Sequence, residues 1–173
     1  MIDMSNTELK FCNADREIQQ IGIVTDDLYR DVKYWVDIAG IGPWTIFEYS
    51  NETADYLELN SEKKEIFSFL VAFTQLKNIE IELIQPLKNA TTYQKYLEEH
   101  GPGLHHIKEK VSEDKIPGTL KRYMSHDVDL IQTGKFRKDI HYYLDTWDKL
   151  HTMYEIGSCP ENEIPAEIKK QYP

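Results

Sequence analysis

The sequence predicts an α+β domain made of two pseudo-repeated βαβββ modules. Three observations lead to this fold class. β-branched segments of strand length recur along the chain, an amphipathic helix pattern follows the first of them in each half, and the order of elements then repeats. The 173 residues, 40% of them hydrophobic, suffice to bury the core of one globular domain. We therefore expect a single domain over residues 17–157, between an N-terminal extension at 1–16 and a tail at 158–173 outside the core.

The first module is predicted over about residues 17–88. Its opening strand is the β-branched segment EIQQIGIVT, which ends at Asp26 and Asp27, residue types typical of a helix N-cap. The helix that follows, over residues 28–39, has apolar residues at three- and four-residue steps and stops at Gly40. The remaining strands are predicted at 44–49, 66–73 and 79–85, with a polar stretch at 51–64.

The second module is predicted over about residues 103–157 and has the same order of elements. A short helix at 90–100 and the helix-breaking segment Gly101-Pro102-Gly103 form the linker at 90–103. The first strands of the two halves are also alike, because QQI at 19–21 matches HHI at 105–107. The elements of this module are a strand at 104–111, a helix at 112–125 and strands at 128–133, 139–145 and 151–157.

Charge and composition exclude several classes of function. The formal net charge is −10 and there is no cluster of Lys and Arg, which argues against a nucleic-acid-binding surface. Cys12 and Cys159 lack metal-ligand spacing and are expected to be free thiols. The chain has no signal-peptide pattern at its start and no apolar run of the roughly 20 residues that a membrane span needs. We therefore expect a cytoplasmic protein without nucleic-acid or membrane partners.

Four polar side chains stand in the middle of predicted strands, each with apolar neighbours on the opposite face. Alternate residues of a strand share a face, so the four would converge if the two modules lined one concave surface. Two buried carboxylates there would need a cation. Three oxygen donors and one imidazole suit Zn, Mn, Fe, Co or Ni with open positions for water or substrate. The four predicted metal ligands are Gln20, Glu82, His106 and Glu155.

Each of these residues also has an ordinary interpretation. A glutamate in a strand usually lies on the solvated face of its sheet, and His106 could be a hydrogen-bonded histidine without a ligand. Only the joint pattern, with one candidate in the first and one in the last strand of each module, favours a metal site.

Several segments of the chain resemble methylmalonyl-CoA epimerases and their relatives in the vicinal oxygen chelate superfamily, which includes glyoxalases, bleomycin-resistance proteins and dioxygenases. The strongest are GPGLHHI at 101–107 and IELIQPL at 81–87, supported by QIGIVTDDL at 20–28 and YYLDTWDKLHTMYEIG at 142–157. The resemblance implies a cupped mixed sheet with helices on its outer face, and a divalent metal held by Gln20, Glu82, His106 and Glu155. Epimerases usually have His at the first position. The set Gln, Glu, His, Glu is similar to that of eukaryotic-type glyoxalase I.

The resemblance also implies a reaction. A metal that chelates a substrate carbonyl would promote proton transfer at the adjacent carbon, as an isomerase or lyase does. Glu155 would be the base, and Glu65, near an upstream catalytic glutamate of related epimerases, would be a second acid or base. The substrate would be a small carbonyl compound or acyl thioester, and the protein could be a homodimer. Glutathione is not expected, because Val24, Pro86 and Pro102 replace the glyoxalase contacts.

Other features of the sequence leave alternatives open. Lys108 and Lys110 would meet an anionic substrate if they faced the cup, and would otherwise be surface charges. An aromatic set could wall the cavity or form the core. The protein could also be a metal-free small-molecule binding protein of the bleomycin-resistance type. A ring-cleaving dioxygenase is less favoured, since it would need two histidines at the metal. The aromatic set comprises Trp44, Phe47, Phe67, Phe69 and Tyr143.

Overall fold

The computed structural model describes residues 4–89, 92–161 and 163–173, and it confirms the α+β fold class. The first half contains α1 (Asn6–Asn13), β1 (Glu17–Val24), α2 (Leu28–Ala39), β2 (Trp44–Ser50), β3 (Tyr56–Leu59), β4 (Glu62–Lys63), β5 (Ser68–Gln75) and β6 (Glu80–Lys88). The second half contains α3 (Thr92–His100), β7 (Gly103–Lys110), α4 (Ile116–Met124), β8 (Leu130–Phe136), β9 (Asp139–Leu144), α5 (Trp147–Leu150), β10 (Met153–Gly157) and β11 (Lys170–Tyr172). Residues 90 and 91 of the predicted linker helix lie outside the described residues.

All eleven described strands belong to one curled sheet, in the order β11-β2-β5-β6-β1-β7-β10-β9-β8-β3-β4. The two halves meet in the middle, where β1 pairs antiparallel with β7. In each half the first strand runs parallel to the last, β1 beside β6 and β7 beside β10, and the other pairs are antiparallel. The predicted polar stretch forms β3 and β4, and β3 pairs with β8 of the other half. The exact βαβββ repeat is therefore not confirmed.

Helices α2 and α4 cover the outer face of the sheet, whereas Tyr93 of α3 packs on the concave side. Helix α2 begins at Asp27, whose side chain accepts a hydrogen bond from the Arg30 backbone, and it ends at Gly40 in the left-handed conformation. Its buried residues Leu28 and Val32 pack on the first half of the sheet, and Ile116 of α4 packs on the second half. None of the described helices is long and apolar enough to cross a membrane.

Two β-bulges interrupt the pairing of the central strands. Along β1 the register passes from Ile18 to Gln20 while β7 advances by one residue, so Gln19 is the extra residue. Along β7, His106 pairs with Gly22 and Leu104 pairs with the next residue of β1, Ile23, so His105 is the extra residue of the second bulge. A bulge breaks the strict alternation of faces and is common beside functional sites. As a result Gln19 and Gln20 both line the concave side, and His105 is buried beside His106.

The C-terminal segment departs from the prediction that it lies outside the core. Strand β11 pairs antiparallel with β2 and extends the sheet at that edge. Ile164 and Ile168 pack against the cluster of buried residues on the concave side. This segment is rich in Pro and Glu, yet its apolar side chains and the pairing of β11 hold it against the domain.

Candidate metal centre

Three oxygen atoms lie around one imidazole nitrogen at the middle of the concave face. Nε2 of His106 is 3.2 Å from Oε1 of Gln20, 3.2 Å from Oε2 of Glu155 and 3.5 Å from Oε2 of Glu82. His106 is fully buried, and Gln20 and Glu155 are nearly so. The structure thus brings the four predicted ligands together from strands β1, β6, β7 and β10.

A glycine makes room for the imidazole. Gly22 of β1 lies directly opposite His106 of β7. A Cβ atom added at Gly22 would lie 1.8 Å from Cε1 and 2.2 Å from Nε2 of His106, a distance that no side chain could tolerate. The ring of His106 therefore lies against the bare backbone of β1.

The second ring nitrogen of His106 is held by its neighbours. Nδ1 of His106 lies 3.0 Å from Nδ1 of His105 and 3.3 Å from the hydroxyl of Tyr143. Burial, and then the charges of Lys108 and His141, hold the pKa of His106 well below its ordinary value. The ring is therefore neutral, as a metal-binding imidazole must be. A proton on Nδ1 would leave the lone pair of Nε2 directed at the three oxygens.

The amide of Gln20 is oriented by a second glutamate. Its Nε2 donates to Oε1 of Glu80 over 2.6 Å, which leaves its Oε1 on the side of His106. Burial raises the pKa of Glu80. Burial, and then repulsion from Glu155 and Glu80, raises the pKa of Glu82 well above its ordinary value. Burial thus makes the ionised carboxylates of this site costly, and a bound cation would relieve that cost.

Lys108 already places one positive charge beside this cluster. Its Nζ lies 2.9 Å from Oε1 of Glu155 and 3.1 Å from Oδ2 of Asp139, and the side chain is almost fully buried. Burial lowers the pKa of Lys108, but the charges of Glu155 and Asp139 outweigh it, so its pKa lies well above the ordinary value. Sequence reasoning left Lys108 undecided, although it stands two residues after His106 and so shares its face.

The three distances from Nε2 of His106 to the neighbouring oxygens are of the size found between ligand atoms of one metal ion. Ligand atoms held about 2.1 Å from a metal lie about 3.0 Å apart at right angles and about 3.4 Å apart at tetrahedral angles. As they stand, no three His, Cys, Asp or Glu side chains within residues 4–89, 92–161 and 163–173 are placed to hold an ion. Metal binding would therefore require side-chain rotations, and one oxygen of Glu155 is already held by Lys108.

Gln20, Glu82 and Glu155 line a cavity of about 440 Å³ on the concave face, and the fully buried His106 is not among the lining residues. Its lining combines aromatic side chains with polar and charged groups. Of the aromatic set considered above, Phe47, Phe69 and Tyr143 line the cavity, whereas Trp44 packs under α2 on the outer face. The lining also includes Gln20, Glu80, Glu82, Lys108, Lys110, Asp139, His141 and Glu155.

Glu65 is not brought to this site. It lies between β4 and β5, its side chain is 81% exposed, and its nearest charged partner is Lys63 at 3.9 Å. It is not among the residues that line the cavity. The segment that carries Glu65 follows β4, which pairs with β3, and β3 in turn pairs with β8 of the other half. Strand alternation does not reveal this long-range pairing, which holds Glu65 away from the cavity.

The domain is a cupped sheet whose concave face carries a group of buried polar side chains and a cavity lined in part by aromatic rings. The sequence pattern of the Glyoxalase/Bleomycin resistance protein/Dioxygenase superfamily matches residues 19–143. The chain therefore belongs to this superfamily, the one that the sequence motifs predicted. No curated protein matches the chain significantly.

Solved structures share the fold at low sequence identity. A hypothetical protein from Bacillus halodurans C-125 is 17% identical, with a TM-score of 0.65 over 87% of this chain and 99% of that one. Methylmalonyl-CoA epimerase from Mycobacterium tuberculosis is 16% identical, with a TM-score of 0.55 over 82% and 86%. A variant Streptomyces coelicolor methylmalonyl-CoA epimerase in complex with 2-nitronate-propionyl-CoA is 17% identical, with a TM-score of 0.58 over 86% and 98%.

Proposed function

We propose that the chain is a metal-dependent enzyme that transfers a proton at the carbon next to a carbonyl group. The observation that carries this proposal is the arrangement of Gln20, Glu82 and Glu155 oxygens around Nε2 of the neutral His106. These four residues would hold a divalent ion of the Zn, Ni, Co, Mn or Fe group. When bound, the ion would polarise the substrate carbonyl and stabilise the enediolate that forms when the adjacent proton leaves.

Glu155 is the proposed base. Lys108 fixes one carboxylate oxygen of Glu155 and leaves the other, Oε2, toward His106 and the cavity. This arrangement orients the carboxylate so that one oxygen can receive a proton from a substrate carbon while the other stays hydrogen-bonded. Tyr143 and His105 hold the imidazole of His106 in place from behind.

The proposed substrate combines an apolar group with a polar carbonyl end. Phe47, Phe69 and Phe136 would receive the apolar group, and the carbonyl end would lie near Glu82 and Glu155. The epimerase solved with 2-nitronate-propionyl-CoA has a similar fold, which supports acyl thioesters as one substrate class to test. Lys110, exposed at the cavity wall, would favour an anionic portion outside the cup.

The test is exchange of the α-proton. Metal-loaded protein is incubated in deuterated water with a panel of 2-substituted acyl-CoA thioesters and α-ketoacyl compounds, and deuterium at the α carbon is measured. We expect exchange with at least one compound, reduced about 10²- to 10⁴-fold in Glu155→Gln because a positioned base contributes a factor of this size. Glu65→Gln, which alters an exposed glutamate outside the cavity, should exchange at the wild-type rate. Absence of exchange across the panel would contradict the proposal.

One observation favours a second function, that of a metal-free small-molecule binding protein. Lys108 already compensates the charge of Glu155 and Asp139, so the cup has an internal cation of its own. In that case the aromatic and polar side chains that line the cavity would bind a ligand without converting it to a product. Tight ligand binding to protein stripped by a chelator, with no α-proton exchange, would support this alternative over the enzyme.

A further inference from the structure

A second cavity, of about 480 Å³, lies on the other side of the paired histidines. We call it the rear pocket. It is formed between α3, α5 and the ends of β3, β8 and β10, and the described residues that line it include none of those lining the front cavity. Its aromatic side chains are Tyr96, His100 and Trp147, which pack on one another with ring centroids 4.7–5.4 Å apart.

The wall of the rear pocket contains a buried polar atom without a partner. His105 is fully buried, and its Nε2 makes no hydrogen bond within the described part of the chain. Its Nδ1 is already engaged by Nδ1 of His106 at 3.0 Å, so Nε2 is the ring nitrogen that remains without a partner on a residue lining the pocket. Leaving such an atom unsatisfied is costly, and a ligand atom in the pocket would relieve the cost.

The contact between the two Nδ1 atoms links the tautomers of the two rings. Only one of the two nitrogens can carry the proton that they share, because a hydrogen bond needs one donor and one acceptor. If His106 presents the lone pair of Nε2 to a metal, its proton is on Nδ1 and is donated to His105. The proton of neutral His105 is then on Nε2, which makes that atom a donor toward the rear pocket.

The charges around the pocket narrow the class of ligand. Three carboxylates, Glu99, Asp145 and Asp148, line it with one ammonium, Lys95. This balance disfavours an anion, so the acceptor that meets His105 should be an uncharged carbonyl or ring nitrogen. The rings of Tyr96 and Trp147 favour an aromatic body.

We propose that the rear pocket is a second ligand site, for a small uncharged aromatic molecule whose hydrogen-bond acceptor meets His105 Nε2–H, and that its occupancy strengthens metal binding by His106. A ligand in the rear pocket can select the tautomer with the proton on His105 Nε2 even without metal, so the binding itself does not depend on the function proposed above. The linkage between the two sites rests on the proposed function, because the linkage requires a metal at His106. Linkage is reciprocal, so metal in the front site should equally strengthen binding in the rear pocket.

Binding is tested first, with metal-free full-length protein. Nicotinamide is the probe, benzoate is the anionic control, and binding is followed by two-dimensional NMR of the Trp147 indole. We expect saturable binding of nicotinamide with Kd on the order of 1 mM, typical of so small a ligand, and benzoate binding at least about 10-fold weaker. Absence of saturation by about 20 mM nicotinamide, or equal binding of benzoate, would overturn the proposal.

Variants then locate the binding. Trp147→Ala alters a partly buried residue of the short helix α5 and should weaken binding at least about 10-fold, measured by calorimetry, while the protein stays folded by circular dichroism. His105→Phe should also weaken binding. If this change at a buried residue impairs folding, Trp147→Ala still decides the test. Glu82→Gln, in the front site, should bind nicotinamide as the wild type does. Unchanged binding in Trp147→Ala would overturn the assignment.

The linkage is tested by titrating Ni²⁺ with and without saturating nicotinamide. We expect about 5-fold tighter Ni²⁺ binding with the probe, within the usual range of coupling between sites. Equal Ni²⁺ affinity in both titrations would refute the linkage. Failure of Ni²⁺ to bind at all would count against the proposed function, whereas the rear site is decided by the metal-free titrations alone.

Discussion

Gly22 lies directly opposite His106 across the central strand pair, and the ring of His106 occupies the space that a Cβ at Gly22 would fill. Gly22→Ala should therefore push the imidazole out of the site. We expect a loss of about 2 kcal/mol in the free energy of unfolding, as for overpacking of a core, and on the order of 10-fold weaker metal binding.

The matched control for this change is Gly118→Ala in α4, where an added Cβ meets no described atom within 4 Å. It should stabilise the protein by about 0.5–1 kcal/mol through helix propensity and leave metal binding unchanged. Urea unfolding and calorimetry measure both quantities. If Gly22→Ala behaved like Gly118→Ala, the packing of His106 against β1 would be wrong.

The buried ion pair between Lys108 and Glu155 gives a second prediction. Lys108→Met should leave the Glu155 carboxylate buried without its cation, and the metal-free protein should lose about 3 kcal/mol in the free energy of unfolding. A divalent ion would supply the missing charge, so Zn²⁺ or Ni²⁺ should raise the melting temperature of the variant more than that of the wild type. Lys63→Met, at an exposed lysine, is the control. An equal metal-induced rise in variant and wild type would count against a shared cation site.

Glu80 supports the site by orienting the amide of Gln20. Glu80→Met should let that amide rotate, so that its oxygen no longer faces His106, and should weaken metal binding about 10-fold, as changes behind a metal ligand commonly do. Glu48→Met, at an exposed position of β2, is the control. Calorimetric titration of both variants measures the effect, and unchanged affinity in Glu80→Met would remove Glu80 from the site.

Stability should fall in alkaline solution. Burial, and then the charge of Asp139, raises the pKa of Tyr49, and burial likewise raises the pKa of Tyr93 and Tyr143. Above about pH 10 the unfolded chain releases these protons while the folded protein retains them. The free energy of unfolding then decreases with pH, by about 1.4 kcal/mol per pH unit for each such group. The loss begins above the unfolded pKa, and Lys108, with its raised pKa, acts in the same direction.

The Tyr49→Phe variant tests this account. The Tyr49 hydroxyl has no hydrogen-bond partner among the described residues, so its removal should not destabilise the protein at pH 7. The variant should lose stability less steeply than the wild type between pH 10 and 11.5 in urea unfolding. Identical slopes would show that Tyr49 does not contribute.

Strand alternation predicted which residues of β1, β6, β7 and β10 face one another, because the period of two is a local property of the chain. It could not show that His105 is buried beside His106 and lines the rear pocket, since the bulge there depends on pairing with β1. The HHI motif could be recognised in the sequence, but the packing of its two histidine rings against each other could not be predicted from it. Likewise the sequence offered Lys108 as a candidate, whereas its partner Asp139 comes from a distant strand. Long-range pairing also determines the positions of Glu65 and β11.

The fold class followed from periodicity and capping residues, and the superfamily followed from the motifs around Glu82 and His106. The metal, the reaction and the role of Glu155 stay predictions. They depend on the orientations of individual side chains, which neither the motifs nor the strand pairing determine.

The most direct test is the metal content of the purified protein after dialysis against Zn²⁺, Ni²⁺, Co²⁺, Mn²⁺ or Fe²⁺. The account predicts one divalent ion per chain for at least one of these metals. His106→Ala should retain less than about a tenth of it, because the imidazole is the ligand around which the three oxygens converge. Glu65→Gln should retain all of it. A wild-type protein that binds none of the five metals, or a His106→Ala variant with unchanged metal content, would contradict the central claim.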